Sequence, residues 1–224
     1  MAKKITLTGN DNSIKHLMQA DAKLAKTINL IGDITYEIEP DSFQFLIGTI
    51  IGQMLSNKVA DVIFDRFYKV CGKNITPENV LSIEEQAIRD CGISKAKVNY
   101  ILDFTKIIKE EPDFFDKFHE MPDHEVMKRL TSFKGIGMWT AKMYLIFVLN
   151  RQDILPFEDG AFLQAYRWLY ETEIIEPRNI KQNCSIWSPY SSIASRYLYR
   201  ILDLGYTKYR NIDEACADDL RLKY

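Results

Sequence analysis

The sequence predicts an all-α protein, and three observations carry that reading. Apolar residues recur at spacings of three and four along most of the chain, the period of an amphipathic helix. Ser, Thr or Asp stands repeatedly just ahead of those runs, where helix N-caps belong. Only Thr35–Ile38 hints at a strand.

The elements follow in order. Ile14, Leu17, Met18, Leu24, Ala25, Ile28 and Ile31 form the first amphipathic pattern. Asp41-Ser42 caps a strongly apolar segment ending near Leu55, and Ser56-Asn57 starts a helix through Tyr68. Thr76-Pro77 is a cap followed by proline at the first helical position. Ser82-Ile-Glu-Glu85 reads as a capping box for a helix closed by Gly92, and Ser94 caps the next, to about Lys109. Pro112 and Pro122 break the chain, and Asp123 caps a short helix to Thr131. Gly135-Ile-Gly137 is a tight turn, with a helix from Met138 to about Leu149. After a loop carrying Pro156, helices run from Asp159 to Tyr170 and from Pro189 to Asp203. These patterns group into two lobes: residues 1–55 with 131–224, and residues 56–130 leading into a hairpin at about 124–150.

Composition sets the bounds. With 224 residues, 46% hydrophobic and 27% charged, the chain has the make-up of a globular protein with a core. No apolar run approaches the roughly 18 residues that span a bilayer, and the basic start (Met-Ala-Lys-Lys) has no apolar stretch behind it. The reading is no membrane partner, a monomer, and a cytoplasmic location. Cys71, Cys91, Cys184 and Cys216 are scattered, as are His16, His119 and His124, which argues against zinc and against an iron–sulfur cluster. The net charge of −2 neither requires nor forbids a nucleic-acid partner, because phosphate binding needs only a local positive face.

Leu130-Thr-Ser-Phe-Lys-Gly-Ile-Gly-Met-Trp-Thr-Ala-Lys142 is the most informative stretch. Two glycines one residue apart let the backbone turn sharply and approach another surface closely. The helix that follows presents its unpaired first amides and the positive end of its dipole, a ready site for a phosphate.

That stretch resembles the hairpin of the helix-hairpin-helix DNA glycosylase superfamily, in its 3-methyladenine DNA glycosylase II branch. Leu155-Pro-Phe-Glu-Asp159 stands where that branch carries a proline and a catalytic aspartate, at the family interval from Trp139. Ile50-Ile-Gly-Gln-Met-Leu-Ser56 is similar to the segment that fills the hole left in the duplex. Cys91-Gly-Ile-Ser-Lys-Ala-Lys97 resembles the family's Gly-Leu-Ser-x-x-Lys turn, and Trp187–Tyr199 its final helix. The resemblance implies a two-lobed helical fold with the active-site cleft between lobes, in the compact form that lacks an N-terminal β-domain.

It also implies a site. Asp159 is the catalytic carboxylate, kept ionised by the helix it precedes, with Glu158 as the fallback one residue away. Trp139, Tyr199 and Met143 line the substrate pocket, where aromatic faces suit electron-poor alkylated bases. Met54 is the wedge, and Gln53, Ser56, Lys134, Gly135, Gly137 and Lys142 contact DNA. Backbone carbonyls of Thr131, Phe133 and Gly135 hold Na+ or K+, while the chemistry needs no cofactor. The partner is double-stranded DNA containing damaged bases, which makes the expected cytoplasmic location nucleoid-associated. A lyase relative would carry its Schiff-base lysine at the position of Trp139, so the activity expected is monofunctional excision of alkylated bases. Two alternatives stay open: an oxidised-purine glycosylase/lyase, and a non-catalytic DNA-binding module.

Overall fold

The computed structural model describes residues 3–222. In chain order the elements are β1 (Lys4–Leu7), α1 (Asn12–Ala20), α2 (Ala22–Ile31), β2 (Ile34–Glu37), α3 (Ser42–Gly52), α4 (Asn57–Val70), α5 (Pro77–Ser82) and α6 (Glu85–Asp90). There follow α7 (Lys95–Glu110), α8 (Asp123–Thr131), α9 (Met138–Phe147), α10 (Gly160–Tyr170), α11 (Pro177–Asn183), α12 (Ser191–Asp203) and α13 (Ile212–Leu222). The all-α class holds. The hinted strand is β2, shifted by one residue, and it pairs antiparallel with β1 from Lys4↔Glu37 to Leu7↔Ile34. Among the described residues, no helix is long and apolar enough to cross a membrane.

The chain forms two compact units: one takes the residues up to Ile38 and from Asn150 onward, the other is Glu39–Leu149. These bounds differ from the lobes expected at 55/56 and 130/131. The reason lies in α3 and α9, which the sequence pattern assigned elsewhere. Phe43, Leu46, Ile47, Ile50 and Ile51 of α3 are all buried, and α3 packs against α4, α7 and α9. A helix apolar around most of its circumference must be surrounded, so it becomes the axis of the middle unit rather than its border. Aromatic side chains complete that core: Phe104 meets Phe133 at 5.0 Å between ring centroids, and Phe118 meets Tyr144 at 5.9 Å.

In the other unit, Ile14 and Leu17 of α1 and Leu24 and Ile28 of α2 join Phe162, Tyr166 and Leu169 of α10 and Ile193 and Leu198 of α12 in one core. The single helix expected over residues 14–31 is broken at Asp21. Its backbone N–H still donates to Leu17 O (3.1 Å), closing α1, while its Oδ1 accepts from Lys23 N (2.9 Å) and Leu24 N (3.0 Å), opening α2. Its Oδ2 accepts from Trp187 Nε1 (2.9 Å) and from the Tyr170 hydroxyl. A carboxylate buried this deeply is tolerated because both oxygens are satisfied.

Two further corrections concern caps. Ser82 closes α5, its hydroxyl donating to Asn79 O (2.7 Å), and α6 begins after Glu84, so the capping box at Ser82–Glu85 does not form. A short helix and a helix start compete for the same four residues, and α5 takes them because Thr76 and Pro77 already set its beginning. Asp123 is the first residue of α8 and Pro122 its flanking cap. Helices α11 and α13 were absent from the sequence reading; each is short or polar and gains its face only by packing.

Candidate functional site

In the middle unit the hairpin is built by α8, a tight turn and α9. Phe133 N donates to Leu130 O (3.2 Å) and Ile136 N to Phe133 O (3.1 Å). Gly135 has φ of +87°, and a β-carbon there would lie 2.6–2.9 Å from the Tyr100 side chain. No other residue type fits that turn unstrained. Gly137 is the N-cap of α9, with extended backbone and no side-chain cap, and a β-carbon there would meet nothing within 4 Å. The positive end of α9 therefore opens on space, with the backbone exposed at Gly137.

The expected DNA contacts separate into two groups. Lys134 is exposed on the turn. Lys142 is only 8% exposed, because α9 is buried from Thr140 to Ile146. Its assignment as a phosphate contact is corrected: a lysine on a helix enclosed on that side has no access to a duplex. Met143, one turn beyond Trp139, is likewise buried at 5% exposure. Trp139 is half-buried and lines a cavity of about 390 Å³ together with Glu39, Phe45, Thr49, Asp61 and Phe64.

Between α3 and α4 the chain turns through Gln53–Ser56. Met54 has φ of +59° and is fully exposed. Ser56 is the N-cap of α4, exposed, with no side-chain cap bond. Gln53 Nε2 donates to Gly135 O (2.7 Å), which joins this turn to the hairpin. That bond bears on the cation expectation. Phe133 O already accepts Ile136 N, and Gly135 O accepts Gln53, so Na+ or K+ at Thr131, Phe133 and Gly135 fits only through the second lone pairs of those two carbonyls.

In the other unit Asp159 is the N-cap of α10. Its Oδ1 accepts from Phe162 N (2.8 Å), its own N–H donates to Pro156 O (2.9 Å), and the residue is 9% exposed. Glu158 is exposed. Helix α12 packs on α10 and brings Tyr199 beside Asp159. Burial pushes the Tyr199 phenol far above its ordinary range, and the charge of the neighbouring Asp159 carboxylate adds to the push. Tyr199 thus offers Asp159 a protonated hydroxyl as well as the aromatic face foreseen from the sequence.

Sequence reasoning missed Arg196. It is buried on α12, with its guanidinium 3.6 Å from the centre of the Tyr36 ring. Burial lowers its pKa, against the pull of the Tyr36 and Tyr199 phenols. The signal was available: Arg196 precedes Tyr199 by three residues on one helix, so the two share a face. The four cysteines are free, and burial pushes Cys71 up to about 12, as befits an inert structural thiol. Among the described residues, no group of three or more His, Cys, Asp or Glu is placed to hold a metal ion.

A predominantly helical chain that turns through Gly-Ile-Gly into an open helix end defines the class: a helix-hairpin-helix protein. Residues 47–189 match the model of the HhH-GPD superfamily base excision DNA repair proteins, and the chain belongs to that family. DNA-3-methyladenine glycosylase 1 of Schizosaccharomyces pombe is 29% identical over 207 residues, covering 86% of this chain and 88% of the relative. The crystal structure of a DNA-3-methyladenine glycosidase from Bacillus halodurans superposes with a TM-score of 0.82 at 28% identity, covering 94% of this chain and 98% of the other. The S. pombe 3-methyladenine glycosylase Mag1, solved in complex with abasic DNA, gives a TM-score of 0.74 at 27% identity, covering 85% and 96%. The resemblance read from the motifs is borne out at the level of family and fold.

Proposed function

We propose that this protein is a monofunctional DNA glycosylase that excises alkylated, 3-methyladenine-like bases from duplex DNA. The observation that carries the reading is Asp159: a carboxylate 9% exposed, held by the Phe162 amide at the head of α10, on the loop where the family motif carries its aspartate. Breaking an N-glycosidic bond leaves oxocarbenium character at C1′, and a fixed negative charge lowers that barrier most when it need not reorganise. The bond's electron pair departs with the base, water adds to C1′, and the water's proton is lost to solvent or to the departing base. A base inside a duplex must first leave the stack, and the full exposure of Met54 on its turn supports reading it as the side chain that takes the vacated room. The open end of α9 receives a phosphate, and Lys134 adds local charge. Trp139 supplies a π-face for an electron-poor base. The relatives named above support the substrate class. Trp139 standing where a lyase has its lysine supports hydrolysis over the oxidised-purine glycosylase/lyase reading.

The test is release of free base from methylated duplex under single-turnover conditions. Asp159→Asn keeps the cap's shape and should bind an abasic-site duplex normally while slowing excision by about a hundredfold to ten-thousandfold. Near-normal rates move the assignment to Glu158, and no release by the unaltered protein leaves a non-catalytic DNA-binding module. Products should carry intact abasic sites, and borohydride should trap no covalent adduct; a trapped adduct overturns the monofunctional reading.

A further inference from the structure

The turn that carries Met54 is held in a conformation its own residues do not favour. Met54 lies in the left-handed region at φ +59°, which a residue with a β-carbon rarely adopts, and its side chain is fully exposed and contributes no packing. Such a conformation persists only where the surroundings over-determine it.

Four hydrogen bonds do so. Lys97 Nζ donates to Ile51 O (2.8 Å), in the last turn of α3, and to Gln53 O (2.7 Å), the residue that caps it. Gln53 Nε2 donates to Gly135 O (2.7 Å) on the hairpin. Leu55 N closes the turn onto Gly52 O (3.1 Å). The carbonyls at the end of α3 lack intrahelical donors and form the negative end of its dipole, so an ammonium is the natural cap. Lys97 itself sits in the first turn of α7, where its own helix dipole disfavours a cation. Burial also lowers its pKa. Both costs are met by the α3 carbonyls, so this lysine from the basic run Lys95–Lys97 is committed inward and does not serve as a phosphate contact.

We propose that Lys97 and Gln53 are positioning residues for Met54, strapping residues 52–56 to α7 and to the hairpin so that the side chain stands ready before DNA arrives. The proposal rests on the reading of Met54 as the wedge. Its physical advantage is entropic: a loop ordered in advance gives up little freedom on binding. Gln53 further couples wedge and hairpin, so a phosphate seated at α9 and a side chain in the stack share one rigid frame.

The experiment compares Lys97→Met, which keeps the apolar stem and removes the donors, with the unaltered protein. In the free protein, exchange of the amides of residues 52–56 should quicken by about tenfold or more, as expected when charged hydrogen bonds to a turn are lost. The preference for a duplex with a tetrahydrofuran abasic site over an intact duplex should fall by a similar factor, with the salt slope unchanged. Lys97→Arg, which can reach the same carbonyls, should restore both. Gln53→Met removes one bond and no charge, and serves in its place where Lys97→Met does not fold; it should shift exchange in the same direction. A salt slope reduced by about 0.9 with unchanged exchange makes Lys97 a phosphate ligand and overturns the proposal. Met54→Ala tests the wedge separately: undiminished abasic preference there sinks the wedge reading, whereas the exchange in Lys97→Met decides the strap.

Discussion

The two hairpin glycines do different work, although a single residue separates them. Gly135 serves the fold: its φ of +87°, and the Tyr100 side-chain atoms 2.6–2.9 Å from where a β-carbon would lie, leave no room for a side chain. Gly137 serves the surface: its backbone is extended, and a β-carbon would meet open space. Gly135→Ala should therefore cost about 2 kcal/mol of stability, read as a lower urea midpoint. Gly137→Val should change stability by less than about 1 kcal/mol. It should nevertheless weaken binding to an abasic-site duplex more than Lys134→Ala does, because a bulky side chain obstructs the backbone approach on which several contacts depend. Normal binding by Gly137→Val with loss in Lys134→Ala would show that side-chain charge dominates. Lys142→Ala is no test of this point, since Lys142 is buried.

Helix ends carry much of what positions the site, and α12 shows how. The Asp153 carboxylate accepts from Ser188 Oγ (2.6 Å), Ser191 N (3.1 Å) and Ser191 Oγ (2.6 Å), fixing the start of the helix that bears Arg196 and Tyr199. Burial raises its pKa, but the Ser188 and Ser191 hydrogen bonds outweigh that, and the net direction is down from 3.8. A folded-state pKa below the unfolded one means stabilisation that is present above about pH 4 and lost as pH falls through the folded value. Asp153→Asn should thus have a lower urea midpoint than the unaltered protein at pH 7, and the gap should narrow by pH 3. A gap independent of pH would show that the carboxylate's charge contributes nothing. The strap at α3 follows the same logic from the other pole, with an ammonium at a helix C-terminus.

At the scale of the whole molecule, a protein of net charge −2 and pI about 6.0 has to hold a polyanion. Lys142 is buried and Lys97 is bonded to α3, so neither is free to displace counterions, which leaves that role to Lys134 and the exposed Lys128 and Arg129 of α8. If helix-end amides supply most of the grip, log K against log salt should be shallow, since the slope is about −0.9 per phosphate neutralised by lysine or arginine. Binding to an abasic-site duplex across a salt series checks this, and a slope steeper than about −4 would contradict it.

What the sequence determined by itself was local. Period, caps and glycines are properties of neighbouring residues, so α3, α7, α8, α9, α10 and α12 were legible to within a few residues, as was the Gly-Ile-Gly turn, while Asp159 stood out only through the family resemblance. What only the tertiary structure decided was everything set by residues far apart in the chain. It ended α1 at Asp21, whose carboxylate is satisfied by Tyr170 and Trp187, and it drew α3 and α9 into the middle unit. It buried Lys142, turned Lys97 toward the carbonyls of α3, and brought Tyr199 beside Asp159 and Arg196 against the Tyr36 ring. The physical reason is that a side chain's polarity fixes what it needs, a partner or water, while only packing fixes which of these it finds.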